Sequence, residues 1–160
     1  MRNRVALIVL SDRAASGKRP DTCIALMKER LGGAYEIVRE RVMADEPAAL
    51  QAELIDLADT NKADLVLTSG GTGLTSRDRT PQATAAILDY EVPGIPEAIR
   101  MVSFANVKTA ILSRALAGVR LRTLIVNLPG SPKAVAEALD IVLPAIPHAL
   151  ELLNDEAVHE

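Results

Sequence analysis

The sequence predicts an α/β protein with a mostly parallel central sheet and helices on both faces. Three observations lead there. Short runs such as "VALIVL" (5–10) are continuously apolar and rich in branched residues, as in strands covered on both faces. These runs alternate with segments of helical periodicity, and parallel strands need such crossovers. The runs also end in polar or glycine-bearing turns, which suits the carboxyl edge of an open sheet.

The elements follow in order. After the first strand, "DTCIALMKERLGG" places Cys23, Met27 and Leu31 at helical spacing, with glycines where a helix stops. "YEIVRERV" (35–42) is interrupted by charges and reads as a strand nearer an edge. "PAALQAELIDLADT" (47–60) carries Leu50, Leu54 and Leu57 on one face, with Pro47 suited to a first helical turn. "DLVLTSGG" is a third strand running into a glycine loop. In "TPQATAAILD" (80–89), Thr80 is the expected N-cap and Pro81 the first helical residue.

"GIPEAIRMVSFANV" (94–107) is expected to be helical from Pro96, and "KTAILSRALAGVRL" to contain a short extended excursion. "TLIVNLPGSPKAVAEAL" repeats the pattern of apolar strand, glycine turn and helix, with Ser131 as N-cap and Pro132 next. A last helix in "LPAIPHALELL" aligns Ile146, Leu150 and Leu153. Residues 1–160 read as a single domain, of a length that can bury a substantial core.

Composition narrows the function. With 49% hydrophobic and 24% charged residues the chain is ordinary for a globular protein, and its net charge of −3 argues against nucleic acid and anionic membranes as partners. A single cysteine, Cys23, excludes an internal disulfide framework and a cysteine-based zinc cluster, and packs as a small hydrophobe. His148 and His159 have no third partner for a metal. No run approaches the roughly 20 apolar residues of a membrane span, and the expected compartment is the cytoplasm.

Four turns should share one rim: "SDR" (11–13), "ADEP" (44–47), "GGTG" (70–73) and "NLPGSP" (127–132). Two of them open helices, whose N-termini offer N–H groups and a positive dipole end to an anion. Asp12, Asp45 and Asp78 would converge beside that anion, and carboxylates next to a phosphate imply a mediating Mg²⁺. The implied chemistry is phosphoryl or nucleotidyl transfer. "GGTGLTSRD" has neither the Gly-Lys-Ser/Thr of a P-loop nor the third glycine of a dinucleotide loop. Taken alone, the glycine loop reads equally as a demanding turn or a phosphate cradle. Asp45 and Asp78 read as turn caps, as partners of Arg77 or Arg79, or as functional acids. Lys133, in a helix's first turn, is either an anion contact or an exposed lysine.

"TSGGTGLTSRDRTPQAT", "EVPGIPEAIR", "AILSRALAGVR" and "LIVNLPGSPKAV" together resemble the MogA/MoaB family of molybdenum cofactor biosynthesis proteins, which includes the gephyrin G domain. The resemblance runs from "SDR" to "PGSPKA". It implies a three-layer α/β/α sandwich, commonly assembled as a trimer or hexamer. It also implies Mg²⁺-dependent adenylylation of molybdopterin by ATP, with pyrophosphate released. Asp45 and Asp78 match the family's two functional aspartates and are the expected catalytic and Mg²⁺-binding residues. Gly70, Gly71, Thr72 and Gly73 match one substrate loop, flanked by Ser69, and Asn127 to Ser131, with Pro129 and Gly130, match the second. Ser11 and Asp12 complete the expected substrate-binding set, and the molybdenum-inserting protein of the same pathway is a candidate partner.

Two departures stand out: Ile24 replaces a frequent glycine in "PDTCIAL", and Tyr90 stands where arginine is frequent. The chain has no tryptophan and only Tyr35, Tyr90 and Phe104 as aromatics, so a bound ring would rest on aliphatic walls and backbone groups. The alternative function is a non-catalytic, MoaB-like molybdopterin carrier or an assembly module. A CinA-like nucleotide hydrolase is disfavoured by the "GGTG" form of the loop.

Overall fold

The computed structural model describes residues 1–154. Six strands form one sheet: β1 (Asn3–Leu10), β2 (Tyr35–Met43), β3 (Leu65–Ser69), β4 (Tyr90–Glu91), β5 (Ala117–Arg120) and β6 (Thr123–Leu128), in the order β2-β1-β3-β6-β5-β4. The first four in that order are mutually parallel, and β5 runs antiparallel to β6. Leu10 pairs with Met43, Val9 with Ser69, and Ser69 with Leu128, so four strands finish nearly flush. The four turns anticipated from sequence therefore leave from one edge, side by side.

Helices α1 (Asp12–Ala15), α2 (Cys23–Leu31), α3 (Pro47–Asp59), α4 (Thr80–Ala85), α5 (Gly94–Phe104), α6 (Pro132–Val142) and α7 (Ile146–Asn154) complete the fold. Alternate side chains of β1 point to opposite faces, as a pleated strand requires. Val5, Leu7 and Val9 join a core with α2, α5, α6 and α7, whereas Ala6, Ile8 and Leu10 join one with α3 and α4. The result is helix layer, sheet, helix layer. Helix α3 contributes Leu50, Leu54 and Leu57 to its core, as the spacing predicts, and α7 contributes Ile146 and Leu150 with Leu153 packed alongside.

The chain leaves β1 through α2 toward β2, then returns through α3 on the opposite face to β3 beyond β1. Strand order thus reverses between β1 and β3, which opens a crevice at their carboxyl ends. Strand β2 is an edge with alternating exposure, and two of its charges, Arg39 and Arg41, pair with Glu53 of α3.

Two local expectations shift, and a third holds. Thr80 is the first residue of α4 and Arg79 occupies the cap position, because the Arg79 carbonyl already accepts the first helical bond, from the Ala83 N–H at 3.0 Å. Helix α5 starts at Gly94, two residues before Pro96. The 108–121 segment holds a 3-10 turn at Lys108–Leu112 before β5, the extended piece expected there. His159 lies outside the described residues; His148 sits on α7, 3.6 Å from Glu151. Among the described residues no helix is long and apolar enough to cross a membrane.

Candidate active site

A cleft of about 840 Å³ opens over the flush rim, and Asp12, Asp45 and Asp78 all line it. Its floor is built by backbone commitments between adjacent turns. The Ser11 N–H donates to the Met43 carbonyl at 2.9 Å, and Ser11 Oγ accepts from Ala14 to cap the short α1. Asp12 and Asp45 then bond reciprocally: the Asp45 N–H donates to Asp12 Oδ1 at 2.9 Å, and the Asp12 N–H donates to Asp45 Oδ2 at 3.3 Å. The turns after β1 and β2 are stapled to each other.

Arg77, from the glycine loop, completes the staple. Its guanidinium donates to both Asp12 oxygens at 3.0 Å and to Glu46 at 3.1 Å. A planar fork is suited to this bidentate grip. The Arg77 hydrogen bonds, helped by the Asp45 N–H, hold the Asp12 carboxyl below the usual range. Arg77 thereby ties the three turns together while itself lining the cleft.

Asp45 is the anomaly. Its Oδ1 is buried and, among the described residues, is the one buried side-chain oxygen or nitrogen without a hydrogen-bond partner. Burial first, and then the neighbouring Asp12 carboxylate, push its carboxyl up; Asp78 adds to the same effect. An unsatisfied buried acceptor costs free energy and calls for an explanation. Room for it is made by Gly71, since a Cβ there would lie 3.0 Å from Asp45 Oδ1 and 2.2 Å from Thr80 Oγ1.

The two glycine turns meet above this point. Gly70 and Gly71 take φ values of 99° and 68°, the left-handed region that glycine tolerates. A Cβ on Gly70 would sit 2.3 Å from the Leu10 carbonyl oxygen, and one on Gly130 would sit 3.5 Å from the Gly70 Cα. Ser69 Oγ donates to the Pro129 carbonyl at 2.7 Å and so joins the β3 and β6 turns. Ser131 caps α6 by accepting from the Ala134 N–H at 3.2 Å, which leaves that eleven-residue helix opening onto the cleft. Asp78 packs against Gly73, and its Oδ2 accepts from Thr75 Oγ1 at 2.8 Å and from the Thr75 N–H at 3.0 Å.

Most of the anticipated residues gather here: Ser11, Asp12, Asp45, Ser69, Gly70, Gly71, Asp78, Gly130 and Ser131 line the cleft. Thr72, Gly73 and Pro129 face a second, more apolar cavity of about 510 Å³ on the other side of the glycine turns, and Ser131 borders both. Asn127 does not reach either. It is fully buried, its amide nitrogen donates to Thr68 and Thr84 hydroxyls at 3.0 and 3.2 Å, and its oxygen accepts from Leu116. It braces β6 against β3, α4 and the segment before β5.

Sequence reasoning missed several contributors. Arg13, Arg19, Asp21 and Cys23 also line the cleft. Arg13 stands in the recognisable "SDR" turn, but nothing local marks Arg19, which is brought in when its N–H bonds the Arg13 carbonyl. Asp21 receives the N–H groups of Cys23 and Ile24, both at 3.0 Å, and caps α2. Ile24 packs against the core and Tyr90 sits in β4 at the far edge of the sheet, so neither departure intrudes on the cleft.

Among the described residues no cluster of three or more His, Cys, Asp or Glu forms an all-protein metal cage. Mg²⁺ does not need one. It takes one or two carboxylates and fills its shell with water and phosphate oxygens. The partnerless Oδ1 of Asp45, with Asp78 on the same cleft, fits that donor set.

Residues 6–148 match the family described as a probable molybdopterin binding domain. The chain belongs to that family. It is 40% identical over 153 residues to the molybdopterin adenylyltransferase of Helicobacter pylori, covering 93% of this chain and 86% of that one. Against the molybdopterin adenylyltransferase of Escherichia coli K12 it is 40% identical over 166 residues, covering 94% and 85%. Its fold matches the crystal structure of the molybdopterin biosynthesis enzyme MoaB from Thermus thermophilus with a TM-score of 0.91 and 46% identity, over 96% of this chain and 98% of that one. Within this molybdopterin-binding family the three-layer arrangement is shared, and the cleft lies inside the matched span.

Proposed function

We infer that the protein is a molybdopterin adenylyltransferase of molybdenum cofactor biosynthesis, using ATP and releasing pyrophosphate. The observation that carries this reading is the buried, partnerless Oδ1 of Asp45 on a cleft shared with Asp78 and two glycine turns. A carboxylate is kept poorly satisfied at such a place when a ligand or cation completes it.

The chain's own groups have separable roles. The α6 N-terminus and the glycine turns offer N–H groups to phosphate oxygens, and the side chains of Arg13 and Arg19 add positive charge to the same cleft. These groups align the terminal phosphate of molybdopterin with the α-phosphate of ATP. An oxygen of the first then bonds to the α-phosphorus while the bond from that phosphorus to the β-phosphate oxygen breaks, and its electrons leave with pyrophosphate. A Mg²⁺ held by Asp45 and Asp78 would polarise a phosphoryl oxygen and offset the charge developing during transfer. Asp12 and Arg77 keep the Asp45 turn in place. Assembly as a homotrimer or homohexamer, and hand-over to the molybdenum-inserting protein, belong to the same proposal. Apolar side chains exposed on and after α5, among them Met101, Val102, Ile111 and Leu112, are the surface that assembly would cover.

The test measures AMP incorporation and molybdopterin binding on one sample. The proposed enzyme forms adenylylated molybdopterin, and Asp78→Asn loses about 10²–10⁴-fold in turnover while still binding the pterin, the range associated with loss of a catalytic acid–base or charge-stabilising group. Tight molybdopterin binding without any AMP incorporation would establish the carrier instead.

A further inference from the structure

The loop that carries Asp78 has a brace outside the cleft. Arg114 lies between the 3-10 turn and β5, 36 residues along the chain from Asp78. Its backbone N–H donates to the Thr72 carbonyl at 2.9 Å, its Nε to the Gly73 carbonyl at 2.8 Å, and its Nη2 to the Asp78 carbonyl at 2.6 Å. One residue thus grips both ends of the 72–78 loop. The loop is also closed internally, by the Asp78 N–H on the Thr75 carbonyl and by the Asp78 carboxylate on Thr75. The brace is itself anchored, since Arg100 of α5 donates to the Ser113 and Ala115 carbonyls at 3.3 and 2.8 Å.

Carbonyl dipoles aimed at one point repel one another unless a cation occupies it. The planar guanidinium fork meets two of them at once, which a lysine's compact ammonium does less well. All peptide bonds here are trans, so each carbonyl turned toward Arg114 sends the next residue's N–H the opposite way. Those donors belong to Gly73, Leu74 and Arg79. The same clamp that holds the carbonyls therefore sets the direction of the loop's donors and of the residue that bears the Asp78 carboxylate.

We propose that Arg114 is a positioning residue for Asp78, and that Arg100 ties this positioning to α5. The kinetic half of the test rests on the adenylyltransfer reading; the hydrogen-exchange half does not. In Arg114→Met, amide exchange in residues 71–79 should accelerate about tenfold or more while strands β1, β3 and β6 keep their protection, as local opening requires. AMP transfer should lose about 10–100-fold in kcat, the penalty of a misplaced group, with KM changed by less than about threefold. Arg114→Lys should recover part of both. In an Asp78→Asn background, Arg114→Met should cost less than about threefold more, because the residue acts through a carboxylate already removed.

Unchanged exchange in 71–79 would overturn the proposal, as would a full further loss in the Asp78→Asn background. If Arg114→Met does not fold, Arg114→Lys decides by the same two readings. A protein that transfers no AMP but shows the exchange effect disproves the function and leaves the brace standing.

Discussion

Two carboxylates at opposite ends of the same sheet show how differently its two edges are built. Asp64, just before β3, accepts from the Arg4 backbone N–H at 2.7 Å and from that arginine's side chain at 2.7 and 3.2 Å. Burial alone would push its carboxyl up, but the Arg4 hydrogen bonds outweigh burial and leave it lowered. Asp45, after β2, is also partly buried, yet one of its oxygens meets nothing and its carboxyl is pushed up. The amino edge satisfies its charge, and the carboxyl edge keeps one in reserve. A free-energy cost tolerated at one edge and avoided at the other is the contrast on which the proposed ligand-binding edge rests.

Substitutions that break this contrast should separate activity from stability. The largest expected effect is on catalysis: Asp45→Asn and Asp78→Asn each lower AMP transfer by about 10²–10⁴-fold, whereas Asp64→Asn leaves it within about threefold, measured as kcat/KM. Next comes Gly71→Ala, which adds backbone strain of about 1–3 kcal/mol to a clash with Thr80 and Asp45 of similar size. It should lower both melting temperature and transfer. Asp64→Ala comes third, losing about 1.5–3 kcal/mol of unfolding free energy in denaturant titrations through the loss of charged hydrogen bonds, with little change in the cleft.

The smallest effect sharpens the contrast by pH. A raised folded-state value means the folded protein holds the Asp45 proton more tightly than the unfolded chain does. The associated stability is full below the unfolded value of about 3.9 and is lost as pH rises through Asp45's own value. For Asp64 the sign reverses: its contribution is present above about 3.9 and lost as pH falls through its lowered value. In melting curves without ligand, Asp45→Asn should therefore melt above the parent at neutral pH, the gap closing below about pH 4. Asp64→Asn should melt below the parent at neutral pH and converge with it in acid. An Asp45→Asn protein less stable than the parent at pH 7 would mean that Oδ1 is better satisfied than its surroundings indicate.

Much of this architecture is legible in the amino-acid sequence. Runs such as "VALIVL" announce strands buried on both faces, and parallel topology then carries "SDR", "ADEP", "GGTG" and "NLPGSP" to one edge. Asp12, Asp45 and Asp78 converge as those turns require. The arginines are harder to foresee. Arg77 and Arg114 act through partners tens of residues away, and no periodicity encodes which carbonyl or carboxylate a long flexible side chain will find. Asn127 is the converse case. Its place in a glycine-bearing turn suggests a ligand contact, but register puts it opposite Thr68 within the sheet, where two hydroxyls satisfy it.

The tight backbone at Gly70 and Gly71 has a consequence for how this scaffold can vary. With φ values of 99° and 68°, and with a Cβ placed 2.3 Å from the Leu10 carbonyl oxygen at Gly70 and 2.2 Å from Thr80 Oγ1 at Gly71, neither residue can gain a side chain without displacing a neighbour. The centre of the rim is thus closed to diversification. Any change of preference among descendants of this fold must be written into the outer walls, the stretch around Arg13 to Asp21 on one side and Thr109 to Ser113 on the other, which border the two cavities. Attempts to redesign specificity should begin at those walls and leave the glycines alone.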